Sequence, residues 1–396
     1  MERTLRLRCL FLEKTLNVKY ATIGENYELR ENINITIDVE KGLIVNIGTS
    51  QRGFTEKPLN ISAIAIPSPI NAHIHSADFI FSCSGLKLSI EELVKPPHGL
   101  KHKLLRKAHT KELEKSITQT LKYLISTGVS TAADFREGGI KGVKLASKSA
   151  KKTKFRLITL GRPLKKYNME KLKKLIKEAH GIGLSSTLSF KPNYLSVISK
   201  LVKGEDKLLA AHVSETKSSF EKGDFEYTLK HYKPSFIVHG TYLRRREFEI
   251  LAEKKIPLVM CPRANTFFSV GVPQIAEAIK SGTTISLGTD NAGWILPNIW
   301  REVEYAFNLT RLQDRNIAEP KIFFKMITYN AAKTLGLKRE GVIDEGMKAN
   351  ITLLKLSPNI VLTKNILASI ILRTDRRDVL EVLLEGKPLI KTKLKW

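Results

Sequence analysis

The stretch Asn71-Ala72-His73-Ile74-His75 decides how the rest of the chain is read. It follows the apolar run Ala63-Ile64-Ala65-Ile66-Pro67-Ser68-Pro69-Ile70 and reads as the end of a strand. Successive strand side chains point to opposite faces, so His73 and His75 share a face and converge. Two convergent imidazoles at a strand end are what a divalent metal needs. The chain has nine histidines, so such a pair also arises by chance, and its meaning depends on partners elsewhere.

Working outward from this pair, residues 69–346 alternate short apolar runs with helical patterns. The runs are Ile70 to His75, Val129 to Phe135, Lys154 to Leu160, Ile182 to Phe190, Lys207 to Val213, Ser235 to His239, Ile256 to Cys261 and Thr283 to Thr289. Between them lie amphipathic stretches such as Met169 to Ala179, with Met169, Leu172, Leu175 and Ile176 on one face, and Leu243 to Lys254, with Phe248 and Leu251. Eight strands alternating with helices predict an α/β fold, a TIM-like (β/α)8 barrel, with chemistry at the C-terminal ends of its strands. The first connection, Ser76 to about Lys103, is unusually long and is expected to form a lid or pocket wall. Its Lys95, His98, Lys101 and His102 are minor candidates for substrate contact.

Both termini read as β structure. Ile33, Ile35, Ile37 and Val39 alternate before Glu40-Lys41-Gly42, and Val45 and Ile47 follow, a hairpin with one buried face. Ile351 to Leu356 and Val379 to Ile390, turning at Glu385-Gly386-Lys387-Pro388, form a second β region. The expected division is a small accessory β-sandwich composed of residues 1–68 and 347–396 around a barrel at 69–346.

With 66 Lys and Arg against 39 Asp and Glu the formal charge is +27, but lysine is spread along nearly every predicted helix, as on a solvated surface. Basic runs such as Arg244-Arg245-Arg246 fall inside helix patterns, and no aromatic-rich basic motif accompanies them, so nucleic acid is not an expected partner. Three scattered cysteines, Cys9, Cys83 and Cys261, give neither a disulfide framework nor a Cys-x-x-Cys knuckle. No leader pattern and no apolar stretch of about 20 residues is legible, so a cytoplasmic protein without membrane contact is expected. Few Cys, Met and Gln beside abundant Lys and Glu suit a thermophile.

The histidine pair finds its partners at other strand ends. Strand five ends in His212-Val213-Ser214-Glu215, strand six in Val238-His239-Gly240 and strand eight in Gly288-Thr289-Asp290-Asn291. Singly, His239 reads as a buried histidine bonded to backbone, Asp290 as a helix N-cap and Glu215 as a first-turn acid. Those readings leave unexplained why such residues gather at one end of successive strands.

With Cys261-Pro262-Arg263-Ala264-Asn265 and Gly341 to Asn350 added, these motifs resemble the amidohydrolase superfamily in its deaminase and chlorohydrolase branch, in order and over essentially the whole chain. The resemblance implies a metal-dependent hydrolase barrel in which His73, His75, His212 and Asp290 hold one divalent metal, Zn²⁺ first and Fe²⁺ second. It implies that Asp290 and His239 take the proton of a water and orient it, and that Glu215 carries a proton to a ring nitrogen and then to a leaving amine. The expected activity is hydrolytic deamination of a small molecule, an amino-substituted heterocycle such as a purine or pyrimidine base, nucleoside or derivative. Cyclic amide hydrolysis or dechlorination at the same metal is the alternative. Two departures stand out: strand four offers no lysine matching the carbamylated bridge of binuclear relatives, since Lys191 lies beyond it, and Cys-Pro-x-Ser-Asn reads Cys-Pro-Arg-Ala-Asn. The other zinc deaminase signature, His-x-Glu with Pro-Cys-x-x-Cys, is missing. Arg136, Glu137, Arg162, Arg263 and Asn265, at other rim positions, are the expected substrate contacts, the arginines for a carboxylate or phosphate. A homo-oligomer built through the accessory sheet or a helix is compatible with the family.

Overall fold

A computed structural model describes residues 13–49, 61–163, 168–361 and 363–391. Cys9 lies outside these residues, while Cys83 and Cys261 are free thiols.

Eight parallel strands form the barrel: β5 (Ile70–His75), β6 (Thr131–Arg136), β7 (Arg156–Gly161), β8 (Gly181–Leu184), β9 (Leu208–Val213), β10 (Phe236–His239), β11 (Leu258–Met260) and a split eighth strand, β12 (Ile285–Leu287) and β13 (Asp290–Asn291). β12 pairs with β11 while β13 pairs with β5, so the two pieces of the eighth strand close the ring. The strand expected over Ile182 to Phe190 stops at Leu184, because Ser185-Ser186 leave the ladder and Thr187–Ser189 turn as a 3-10 segment.

The strands divide their apolar residues between two cores. Ile70, Ala72, Ala133, Phe135, Leu160, Phe236 and Val238 meet inside the barrel. Ile74, Ala132, Leu184, Leu209, Ile237 and Leu287 pack outward with helix residues such as Leu172, Leu175, Phe248 and Leu251. Ile70 and Ala72 therefore face inward and Ile74 outward, although strict alternation would put all three on one face. The cause is a register shift between Asn71 and Ile74, where β5 carries one extra residue against β6, whose partners there are Ala132 and Asp134. Such a bulge turns the strand's phase, and here it brings both His73 and His75 to the inner face.

The long first connection is ordered into a 3-10 turn (Ser76–Phe81) and short helices Ile90–Val94 and Leu100–Lys107. It folds over the C-terminal mouth of the barrel, as the expectation of a pocket wall required. Lys191, beyond the 3-10 segment that follows β8, is the exposed N-cap of helix Pro192–Gly204.

The second sheet joins both ends of the chain: β1 (Glu13–Ile23), β2 (Glu28–Asp38), β3 (Leu43–Thr49), β4 (Ile61–Pro67), β14 (Ile351–Lys355), β15 (Val379–Leu384) and β16 (Lys387–Lys391). Its order is β16-β15-β14-β4-β1-β2-β3, with β1 and β4 parallel and the other pairs antiparallel. The sheet folds back on itself, so that backbone bonds from Ala349 to Gly42 and from Ile44 to Met347 join its two leaves. Ile33, Ile35, Ile37, Ile351, Leu353 and Leu383 fill the space between them. In β3 it is Ile44 that is buried while Val45 is 40% exposed, because a register shift between Thr36 and Ile37 reverses the phase read from the sequence. Among the described residues no helix is long and apolar enough to cross a membrane.

Candidate active site

Three strand ends near the mouth adopt a backbone conformation rare for side chains with a Cβ: Ser214 (φ 50°), His239 (φ 76°) and Asp290 (φ 58°) lie in the left-handed region. Such strain persists only where surroundings enforce it. At Ser214 the enforcer is Asp224, whose carboxylate accepts the backbone N–H and the hydroxyl, both at 2.7 Å. At the eighth strand it is Asn71: its amide donates to the Thr289 hydroxyl at 2.7 Å and its oxygen accepts the Thr289 N–H at 3.1 Å. Gly288 completes that approach, since a Cβ there would stand 2.5 Å from that of His73.

These constraints converge His73, His212, His239 and Asp290, all buried, so that one ligand atom of each lies within 4.8 Å of the others. His73 Nε2 is 3.1 Å from Asp290 Oδ1, and His75 Nε2 is 3.4 Å from the same oxygen. The compact foursome thus includes His239 where sequence reasoning expected His75, with His75 beside it, stacked on His212 at 5.5 Å between ring centroids.

The second ring nitrogens say what each imidazole offers. His75 and His212 donate Nδ1–H to the carbonyls of Phe135 (3.0 Å) and Leu184 (2.8 Å), which leaves each Nε2 with a free lone pair. His239 Nδ1 instead faces the Asn265 amide nitrogen at 3.1 Å, and with that amide donating, the proton of His239 sits on Nε2. Nε2 has no bonded partner and lies 3.6 Å from Glu215 Oε1. Burial pushes His73 down to about 3 despite the Asp290 carboxylate beside it, and drives His212 well below the usual imidazole range. Burial acts against ionisation of Asp290, but the hydrogen bond from His73 holds it below the usual carboxylate range. Neutral imidazoles and an ionised carboxylate within 4.8 Å of one another are a donor set that fits a divalent cation of the Zn²⁺ type.

A cavity of about 430 Å³ opens over this cluster. His75, His212, Glu215, His239 and Asp290 form its floor, with Ile90, Val94 and Phe268 as apolar walls and Arg162, Lys95 and Lys222 as cations. Burial raises the Glu215 carboxyl above its ordinary value, against the pull of His239.

The expected substrate contacts separate. Arg162 lines the cavity. Asn265 is fully buried behind His239. Arg136 bonds Glu137 at 2.6 Å and stands 3.7 Å from Asp134, and Glu137 also lies 3.2 Å from His75 Nδ1, beneath the floor. Arg263 turns away, with its N–H on Glu302 at 3.0 Å and its guanidinium on the Leu296 carbonyl at 3.2 Å. The three arginines therefore do not converge. Sequence reasoning passed over Asn71 as a structural clamp, though it stands in the opening motif, and over Asp224 and the wall residues Ser185, Ser186, Ser219 and Phe268, which no spacing rule marks.

Known proteins resemble the chain in sequence and in fold. The chain is 34% identical over 382 residues to an uncharacterized protein of Methanocaldococcus jannaschii, covering 90% of this chain and 94% of that one. It is 24% identical over 410 residues to the 5-methylthioadenosine/S-adenosylhomocysteine deaminase of Thermococcus onnurineus, covering 94% and 92%. A zinc-bound adenosine deaminase from Xanthomonas campestris has the same fold, with a TM-score of 0.82 at 16% identity over 94% of this chain and 92% of its own. The sequence model of the Amidohydrolase family matches residues 64–389, spanning the barrel, its rim histidines and the return of the chain to the second sheet, and so the chain belongs to that family.

Proposed function

We propose that the protein is a metal-dependent hydrolytic deaminase of an amino-substituted heterocycle, a purine or pyrimidine base, nucleoside or derivative. The observation that carries this reading is Glu215: a carboxyl whose hold on its proton is raised by burial, at the cavity floor and 3.6 Å from His239 Nε2. A leaving amine needs a proton donor in that place, whereas a leaving halide does not. The named activity of the Thermococcus relative supports the same class.

In this reading His73, His75, His212 and Asp290 hold one divalent metal, Zn²⁺ first and Fe²⁺ as the alternative. The free Nε2 lone pairs of His75 and His212 support that set over one containing His239. Bound there, the metal would supply a water acidic enough to ionise near neutral pH. The cavity seats the ring between Ile90, Val94 and Phe268, with the amino-bearing carbon over the floor. Glu215 Oε1 gives its proton to the adjacent ring nitrogen, the water oxygen bonds to that carbon, and Asp290 takes the proton the water loses. His239 Nε2–H holds the oxygen in place. Asp290 hands that proton to the Glu215 carboxylate, and Glu215 passes it to the amine as the carbon–nitrogen bond breaks and ammonia leaves. Asp290 takes the remaining hydroxyl proton as the ring carbonyl forms, and its return to Glu215 restores the starting state. The same residues suit a cyclic amide, the alternative substrate class, because its leaving nitrogen needs the same proton. The division into a barrel at 69–346 and a composite unit of 1–68 and 347–396 is supported by the two separate sheets.

Metal analysis and an ammonia-release screen over aminopurines, aminopyrimidines and their nucleosides test the proposal. About one metal per chain and ammonia from one of these classes are expected. Less than about half a metal after metal-supplemented expression, or ring opening without ammonia, overturns it.

A further inference from the structure

Beside the cavity floor lies a cluster of charges that the mechanism above does not use, two of whose cations, Lys101 and Arg162, reach the cavity wall. Lys101, Arg136 and Arg162 face Asp78, Asp134 and Glu137, three cations against three carboxylates, drawn from the inserted segment and from β6 and β7. All but Arg162 are buried. Removing so many charges from water is costly, and apolar residues of similar volume would hold the segment down as well.

Lys101 is the hinge of this cluster. It stands on the short helix Leu100–Lys107, its side chain 4% exposed, and its ammonium lies 2.7 Å from Asp78 Oδ2 and 2.8 Å from Glu137 Oε1. Burial would push the ammonium down, but the two carboxylates outweigh it and keep the lysine above its ordinary range. Each carboxylate also reaches the metal centre. Glu137 Oε1 is 3.2 Å from His75 Nδ1, and Asp78 Oδ2 accepts the Asn291 amide at 2.8 Å. Asn291 follows Asp290 on β13 and pairs with His75 across the closing seam of the barrel. One ammonium therefore fixes two carboxylates that flank the seam carrying His75 and Asp290.

We propose that Lys101 is a positioning residue of the metal centre, and that docking of the inserted segment 76–107 through this lysine sets how His75 and Asp290 meet the metal. This rests on the reading that those two residues are ligands. Partners of ligating histidines fix the ring's orientation and tautomer, and their loss typically lowers metal affinity about 10–100-fold.

The test uses the full-length metal-loaded protein. Metal affinity is measured by chelator competition, the visible absorption is recorded after cobalt substitution, and the metal-free protein is melted. Lys101→Met should weaken metal binding about 10–100-fold and change the cobalt spectrum. Ile35→Ala in the second sheet should lower the melting temperature while leaving the spectrum as in wild type. Where Lys101→Met fails to fold, Glu137→Gln carries the test, since it keeps the Lys101–Asp78 pairing and removes the charge through which Lys101 faces His75, together with the Arg136 and Arg162 pairs. Wild-type affinity and spectrum in the variant that folds overturn the role of Lys101. A wild-type chain that takes up no metal overturns the reading of the site itself.

Discussion

The two sheets of this protein handle polarity in opposite ways. The second sheet encloses an apolar core, in which Ile35, Ile37, Ile44, Ile351 and Leu353 are fully buried. The mouth of the barrel buries histidines, carboxylates, a lysine and an arginine, and leaves His73 Nδ1 and His239 Nε2 without a hydrogen bond. One region packs apolar side chains against one another, whereas the other holds unpaired imidazole nitrogens beside buried ionisable groups, the usual condition of a reactive site.

This contrast predicts that substitutions at the mouth change chemistry and substitutions in the second sheet change stability. The largest effect is expected from Glu215→Gln, which should lower kcat about 10²–10⁴-fold with metal content kept. Retained turnover would erase the distinction at its strongest point. Next, Ile35→Ala deletes a fully buried side chain and should cost about 2–5 kcal/mol, read as a fall in melting temperature with kcat per folded molecule unchanged.

Glu302 sharpens the comparison because it is a buried charge of the barrel with a stability signature. Burial raises its carboxyl to about 7, against the pull of Arg263. The native protein then keeps a proton that the unfolded chain has already released. Glu302 is neutral to stability below about pH 4.5, destabilises increasingly as pH rises towards 7, and above that costs about 3 kcal/mol. Denaturant unfolding at pH 5 and pH 8 should show this loss in the wild type and not in Glu302→Gln. The smallest effect belongs to a pair outside both regions: Lys174 and Glu170 meet at 2.6 Å on an exposed helix face, and Lys174→Ala should change stability by less than about 0.5 kcal/mol.

Much of this contrast is legible in the residues. Period-two and helical patterns located all eight barrel strands and the terminal strands β2, β3, β14, β15 and β16, though not β1, because burial on one or both faces writes itself into the spacing of Ile, Leu and Val. Where the ladder is irregular the reading slipped. β8 ends at Leu184, where Ser185-Ser186 leave the ladder to line the cavity, and β3 buries Ile44 instead of Val45 because β3 carries one extra residue against β2. The arginines at the rim were equally legible as residues but not as contacts. Arg263 finds Glu302 and Arg136 finds Glu137, partners set by how helices and loops pack and not by any local signal.

The opening motif shows where that boundary falls. By itself the sequence determined that His73 and His75 share a strand face, that other strands end in His212, His239 and Asp290, and that the barrel brings those ends to one rim, since all three follow from local periodicity and chain order. Only the tertiary structure decided which face the pair occupies. One extra residue in β5 turns the phase inward, Asn71 and Gly288 draw the eighth strand against it, and Lys101, distant in sequence, locks the seam. A register shift and a buried ion pair depend on partners far along the chain, and no local pattern carries them.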